Sequence, residues 1–425
     1  MRVSKGSLSL LFVVLLLGPA GVHAQQPGPS LEAARALINL DEKRLDEPAQ
    51  ALLYALLHRS HEMPATVSAW QLLGDLHAQR KRADQAFMAY FTALHFDLDE
   101  KTRTDITVAG KLLAEKSGAL SPIKEKLTAL IDDAAGEGDA PARELKALRA
   151  LRDLEYPKLF PALIEAGRLY AFRVPFAEVV PALWLEISEM ETALGHHWKA
   201  LAAATIVVND YADSDLAGKG ELCLAGIYAY QLKRYALAAT TYQGLIKSEG
   251  DTSLQAEARW GLAELRDQKE KAYSAAVEAY RDFIDHHAGD VRVPRAWMRI
   301  AELQISRLKQ PEAGIASYGW LIQSCPESEQ VAEARLAVAE TYEKKMKDYA
   351  KAVAAYIEFA GAHQDHEKAA AVLYQAGRLA EEKMKDSARA LEIYREVVNS
   401  FTKQKPVDAA RSRIKKLEKT AAENE

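Results

Sequence analysis

Two histidine pairs have a spacing that a metal ion could use. His58 and His61 stand three apart, as do His363 and His366, and a glutamate follows each pair at Glu62 and Glu367. On a helix, histidines so spaced share a face and could reach one zinc ion, but a structural zinc site takes four ligands. Neither pair has a third ligand close by, and both fall where a helix runs into a connection. They read as polar helix ends, and no metal is assigned. His196-His197 and His286-His287 are adjacent and point in different directions round a helix. Cys223 and Cys325 are the only cysteines; nearly three repeats separate them, beyond disulfide reach, and neither joins a metal-ligand spacing. The chain has no glycine-rich phosphate loop, no nucleophile elbow and no His-Glu-x-x-His pair. No catalytic residue and no cofactor is expected, and the chain reads as non-enzymatic.

What the sequence does carry is a ladder of positions that build. Tyr242, Tyr280, Tyr318, Tyr356 and Tyr394 recur every 38 residues. A small residue precedes each by seventeen positions: Ala225, Ala263, Ala301, Ala339 and Gly377. Another precedes it by four: Ala238, Ala276, Gly314, Ala352 and Ala390, a column that Ala200 extends upstream. Self-similarity at such a period marks a solenoid, in which each unit buries its apolar face only against its neighbours. Helical periodicity throughout gives an all-α fold of about nine or ten hairpins. First helices are expected to begin near Val180, Ala217, Gln255, Pro294, Val331 and Ala369. Second helices are expected near His197, Tyr235, Tyr273, Pro311, Tyr349 and Ser387.

Composition agrees with a folded array and narrows the partner. Hydrophobic content of 49% with 27% charge suits an ordinary folded chain, and a net charge of −5 argues against nucleic acid, which needs a basic footprint. Arg2 and Lys5, the apolar run Leu8 to Leu17 and Val22-His23-Ala24 have the order of a secretory signal, with cleavage expected after Ala24. That run is too short to span a bilayer, and no cysteine follows Ala24 to carry a lipid. A soluble periplasmic or secreted protein is expected, with no transmembrane segment. The expected organisation is a signal at 1–24, helical repeats at 30–131, an acidic linker at 132–141, the long-period array at 142–404 and a capping helix with tail at 405–425. Arg411, Arg413, Lys415, Lys416 and Lys419 give that last helix a basic face, read as a solubilising cap or a site for an anionic lipid or partner.

Residues 66–99 carry Trp70-Gln71-Leu72-Leu73-Gly74, then Ala86, Tyr90 and Ala93, and resemble the tetratricopeptide (TPR) family, with His77 where a tyrosine is usual. Gly74 and Ala86 stand 12 apart there, against 13 for Ala225 and Ala238, which puts one extra residue in the turn of the longer repeats. The longer form, over roughly 180–420, resembles the TPR-like arrays of Gram-negative envelope proteins of the Tol–Pal coordinator and outer-membrane-assembly type.

The resemblance implies a right-handed superhelix whose first helices line a concave groove. Two columns would then face it: Gly226, Glu264, Glu302, Glu340 and Arg378, and Ala229, Asp267, Ile305, Glu343 and Glu381. The partner-binding residues expected are Glu264, Asp267, Glu302, Glu340, Glu343, Arg378 and Glu381. They form a largely acidic stripe suited to a protein or peptide partner of basic character, because charge complementarity sets specificity. A scaffold of the bacterial cell envelope is the leading expectation. The alternative is a structural subunit of an envelope export or polysaccharide-secretion apparatus.

Overall fold

The structure, a computed structural model, describes residues 31–40, 42–59, 63–135, 138–248, 251–402 and 405–424. The leader, the polar stretch up to Pro29, His61 and Glu62 lie outside them. The described residues form helices and turns, with no strand among them. The helices are α1 (Leu31–Asn39), α2 (Asp46–Arg59), α3 (Met63–Gln79), α4 (Ala83–Leu94), α5 (Glu100–Lys116), α6 (Lys124–Asp132), α7 (Ala140–Arg152), α8 (Phe160–Arg173), α9 (Val180–Ala193) and α10 (His197–Asp210). They continue with α11 (Ala217–Gly226), α12 (Tyr235–Lys247), α13 (Thr252–Glu264), α14 (Tyr273–His286), α15 (Val293–Ser306), α16 (Pro311–Ser324), α17 (Gln330–Thr341), α18 (Tyr349–Ala362), α19 (Ala369–Glu382), α20 (Ser387–Ser400) and α21 (Lys405–Asn424). Successive helices pair as antiparallel hairpins, and each of the six second helices from α10 onward starts at the residue the ladder indicated.

The chain divides into two compact units, 1–223 and 224–425, with the boundary inside α11. In the first unit, α4 packs against α5 and also against α7 and α8, so the α5–α6 hairpin leans on a stack that continues past it. Trp70 of α3 donates its indole N–H to the buried Glu144 (3.2 Å), which Arg173 of α8 also engages. In the second unit every helix packs on the next, and the first helices α15 and α17 touch each other, as do α19 and α21.

Local chemistry explains where these helices begin. Asp251, Asp348 and Asp386 accept from backbone N–H groups of the first turn, and proline stands in the first turn of α15 and α16. The five ladder tyrosines are buried, as are the small residues four positions before them. A Cβ on Gly377 would stand 2.6 Å from the Tyr394 ring, and one on Gly74 would stand 2.4 Å from Tyr90. Ring and small residue are therefore complementary shapes that set how closely the helices approach.

The extra residue of the long repeat sits in the hairpin turn. Arg234, Ala272, Gln310, Asp348 and Asp386 each donate their N–H to the carbonyl six residues back, at 2.7–3.0 Å. In the shorter turns Arg82 and His196 reach only five back, at 2.9 and 2.8 Å. Three of the long turns absorb the insertion as π-helical turns, at Ile227–Gln231, Leu265–Lys269 and Tyr342–Met346. The residue before each donor is left-handed: Lys233, Lys271, Lys309, Lys347 and Lys385 have φ between 55° and 59°, and Gly195 heads the same column at 76°. A side chain in that conformation costs about 1–2 kcal/mol, whereas glycine adopts it freely but loses about 0.5–1 kcal/mol in backbone entropy.

Lys271→Gly is expected to leave the denaturant midpoint unchanged or raise it slightly. Lys271→Val, which adds a β-branch at positive φ, should lower stability by about 1 kcal/mol or more. A valine variant as stable as the glycine one would remove the strain argument.

Candidate partner-binding surfaces

Three members of the expected acidic stripe are held inside the stack. The carboxylate of Asp267 is only 1% exposed and accepts from Arg299 at 2.6 and 2.8 Å, with the Tyr280 hydroxyl at 3.4 Å. Glu343 accepts from the Tyr356 hydroxyl at 2.5 Å and from Gln375 at 2.8 Å. Glu381 accepts from the Tyr394 hydroxyl and from Arg413, both at 2.9 Å. Each carboxylate thus joins the ladder tyrosine 13 residues on to a donor 32 residues on, in the next first helix. These acids clamp hairpin to hairpin and are not a free recognition face.

The chain confirms the unit by how it dispenses with it. Where the carboxylate position is Ala229 the donor position is Gly261, and where it is Ile305 the donor is Ala337. Across the five repeats of the tyrosine ladder, acid and donor are present together or absent together. That is what desolvation demands, since a buried charge without its partner is far worse than an apolar pair. Burial and the nearby carboxylates push the hydroxyls of Tyr280, Tyr356 and Tyr394 up, so they remain donors.

The remaining four expected residues are more open. Glu302 and Glu340 are each 44% exposed, paired with Arg299 and Lys344 at 2.8 Å. Glu264 lies 3.6 Å from Arg295, and Arg378 bonds Glu382 at 2.9 Å. The stripe is consequently laced with cations from its own chain. On α21, Arg413 also reaches Glu382 (3.0 Å), so part of the basic face serves the last clamp. His363 and His366 both lie against Phe359, with ring centroids 5.4 and 5.3 Å apart.

A second surface had no repeat pattern to reveal it. In the first unit a groove of about 630 Å³ opens between α2, α8, α9 and α10, lined chiefly by Tyr54, Leu169, Phe172, Trp184, Ile206 and Tyr211. Arg168 and Asp210 stand at the same groove. Its floor is fixed by Glu165, which accepts from Gln50 (2.9 Å), Gln85 (2.6 Å) and the Tyr54 hydroxyl, tying α2 and α4 to α8. Below it His77 is buried, and that burial depresses its pKa to about 4.

Comparison with known proteins adds one match in sequence. A tetratricopeptide repeat lies at residues 371–403. The family model matches that span, which covers α19, α20 and their turn. No curated protein matches the chain. Among solved structures, a tetratricopeptide repeat protein from Parabacteroides merdae is 15% identical, with 64% of this chain and 96% of that one covered and a TM-score of 0.35. The apo form of RapI is 12% identical, covering 91% and 97%, at a TM-score of 0.38. A Rap protein complexed with Competence and Sporulation Factor is 10% identical, covering 93% and 98%, at 0.32. Superpositions this loose transfer no site. The matched repeat contains Gly377, Glu381 and Tyr394, one rung of the ladder with its acid, while the donor Arg413 lies beyond it.

Arg299→Ala should lower stability by about 3 kcal/mol by stranding the Asp267 carboxylate, and the double change Asp267→Ile with Arg299→Ala should recover most of it. Additive losses in that double-mutant cycle would disprove the clamp. For His77, the folded pKa lies below the unfolded one, so stability is full above pH 6.5 and falls as pH drops toward 4. A His77→Leu variant should escape about 2 kcal/mol of the loss between pH 7 and pH 5. Equal urea midpoint shifts in both proteins would show that His77 does not titrate there.

Proposed function

We propose that this chain is a non-enzymatic scaffold of the bacterial cell envelope that holds a protein or peptide partner against its helical hairpins. The observation that carries this reading is the groove of the first unit. Its volume is of ligand-binding size, its walls are aromatic and aliphatic, and Arg168 and Asp210 supply polar groups beside them. Exposed Phe172 and half-buried Trp184 would grip an apolar side chain of the partner, and rigid aromatics of this kind give contact area at little entropic cost. Glu264, Glu302 and Glu340 in the second unit would add attraction for a basic stretch, steering approach more than holding it. The signal-like order of residues 1–24 supports export to the periplasm.

A photo-crosslinking residue at Phe172 tests the groove in the organism itself. A discrete adduct from the periplasmic fraction, with a carrier chain beginning at Gln25, is expected. Trp184→Ala should reduce that adduct several-fold while a crosslinker on α21 is unaffected. An adduct that forms equally well without Trp184, or only in the cytoplasm, would count against this reading.

A further inference from the structure

One hairpin of the second unit breaks a column that its neighbours keep. Along one edge of the hairpins Arg259 of a first helix bonds Asp282 of its second helix (2.9 Å), and two repeats further on Arg335 bonds Glu358 in the same way. Between them, in both columns, stands tryptophan: Trp297 where the others have arginine and Trp320 where they have an acid. The two rings stack, with centroids 6.4 Å apart and planes 18° from parallel. Trp320 remains 56% exposed, although a solvent-facing helix position gives no reason of its own for so large an apolar ring.

The ion pairs that flank this edge are unequally exposed. In the flanking pairs the arginines are the covered partners and the acids the outward ones: Arg259 is buried while Asp282 is 47% exposed, and Glu358 is more exposed than Arg335. The exposed Trp320 indole, with the outward sides of these two ion-paired carboxylates in register one repeat to either side, suits a cation through its ring more than through net charge. Among biological cations a guanidinium fits best, because it is planar, weakly hydrated and stacks on aromatic rings. The chain already uses this contact internally: Arg292 and Arg295 lie over Trp260, 5.5 and 5.3 Å from the ring centroid.

We propose that the Trp297–Trp320 ledge is a docking surface for an arginine side chain on a protein partner, supplying from outside the guanidinium that this hairpin lacks. The surface lies in the second unit and does not depend on the groove of the first. It can be tested with the full mature chain and a fluorescein-labelled hexapeptide bearing two arginines, set against the same peptide with citrulline or with lysine. At 0.15 M salt the arginine peptide should bind several-fold more tightly than the lysine peptide, and the citrulline peptide should bind least. Trp320→Ala should weaken arginine binding about fivefold, which corresponds to about 1 kcal/mol for a surface cation–π contact. Trp320→Phe, which keeps a ring, should retain most of it. Because Trp320 is exposed, neither change opens the core, and unchanged thermal unfolding verifies this. Unaltered binding by Trp320→Ala would overturn the proposal, leaving only diffuse attraction to an acidic chain. Sedimentation showing that Trp320→Ala dissolves a self-association would likewise overturn it, assigning the ledge to a second copy.

Discussion

A tyrosine ring that fills the space between two hairpins carries its hydroxyl toward the interior, and in three of the five repeats a carboxylate is placed to receive it. The second unit is arranged around that burial. The ring packs where alanine or glycine lets helices come close, which places the hydroxyl at the junction with the next first helix. In three repeats a carboxylate there accepts a hydrogen bond from the hydroxyl, and this largely covered charge takes a second donor from the following hairpin. Asp267 with Arg299, Glu343 with Gln375 and Glu381 with Arg413 are three solutions of one problem. The repeat period, the small residues and the ion pairs all descend from burying one aromatic ring per unit.

Much of this was legible in the chain before any coordinates. Period and ring–small columns gave the hairpins, and the apolar pattern gave second-helix starts such as Tyr235 and Ser387 to the residue. Side-chain commitment was harder to read. Helical periodicity assigns Asp267, Glu343 and Glu381 to a face, but a face is shared by solvent and by the next repeat. Deciding between them needs the partner 32 residues away. That signal was present, since acid and donor columns change in step, as Ile305 with Ala337 shows. The groove around Trp184 left no trace of that kind, because Tyr54, Leu169 and Phe172, which help to build it, lie upstream of the regular ladder. The left-handed turn was also hidden, since propensity alone would put glycine, and not Lys271, at positive φ.

The two units use buried charge differently. In the second, the contacts of Asp267, Glu343 and Glu381 bridge consecutive hairpins at one position of the repeat. In the first, Glu144 and Glu165 gather donors from helices far apart in sequence: Trp70 and Arg173 for one, Gln50, Tyr54 and Gln85 for the other. Such long-range satisfaction holds an irregular stack in one arrangement, and it allows a groove with fixed walls. A regular array offers edges and columns instead, and there function has to enter as a departure from the pattern, as Trp297 and Trp320 do.

The seams of the second unit are therefore of two kinds. Those at Asp267, Glu343 and Glu381 are ionic and hydrogen-bonded, while those at Ala229 and Ile305 are apolar. Temperature acts on both in the same sense. Apolar contact loses strength on cooling, and the desolvation penalty of a charge pair, which eases on warming, grows as well. The joints of the array therefore tighten together on warming and loosen together in the cold, so cold is the direction in which its cohesion along the stack is most exposed.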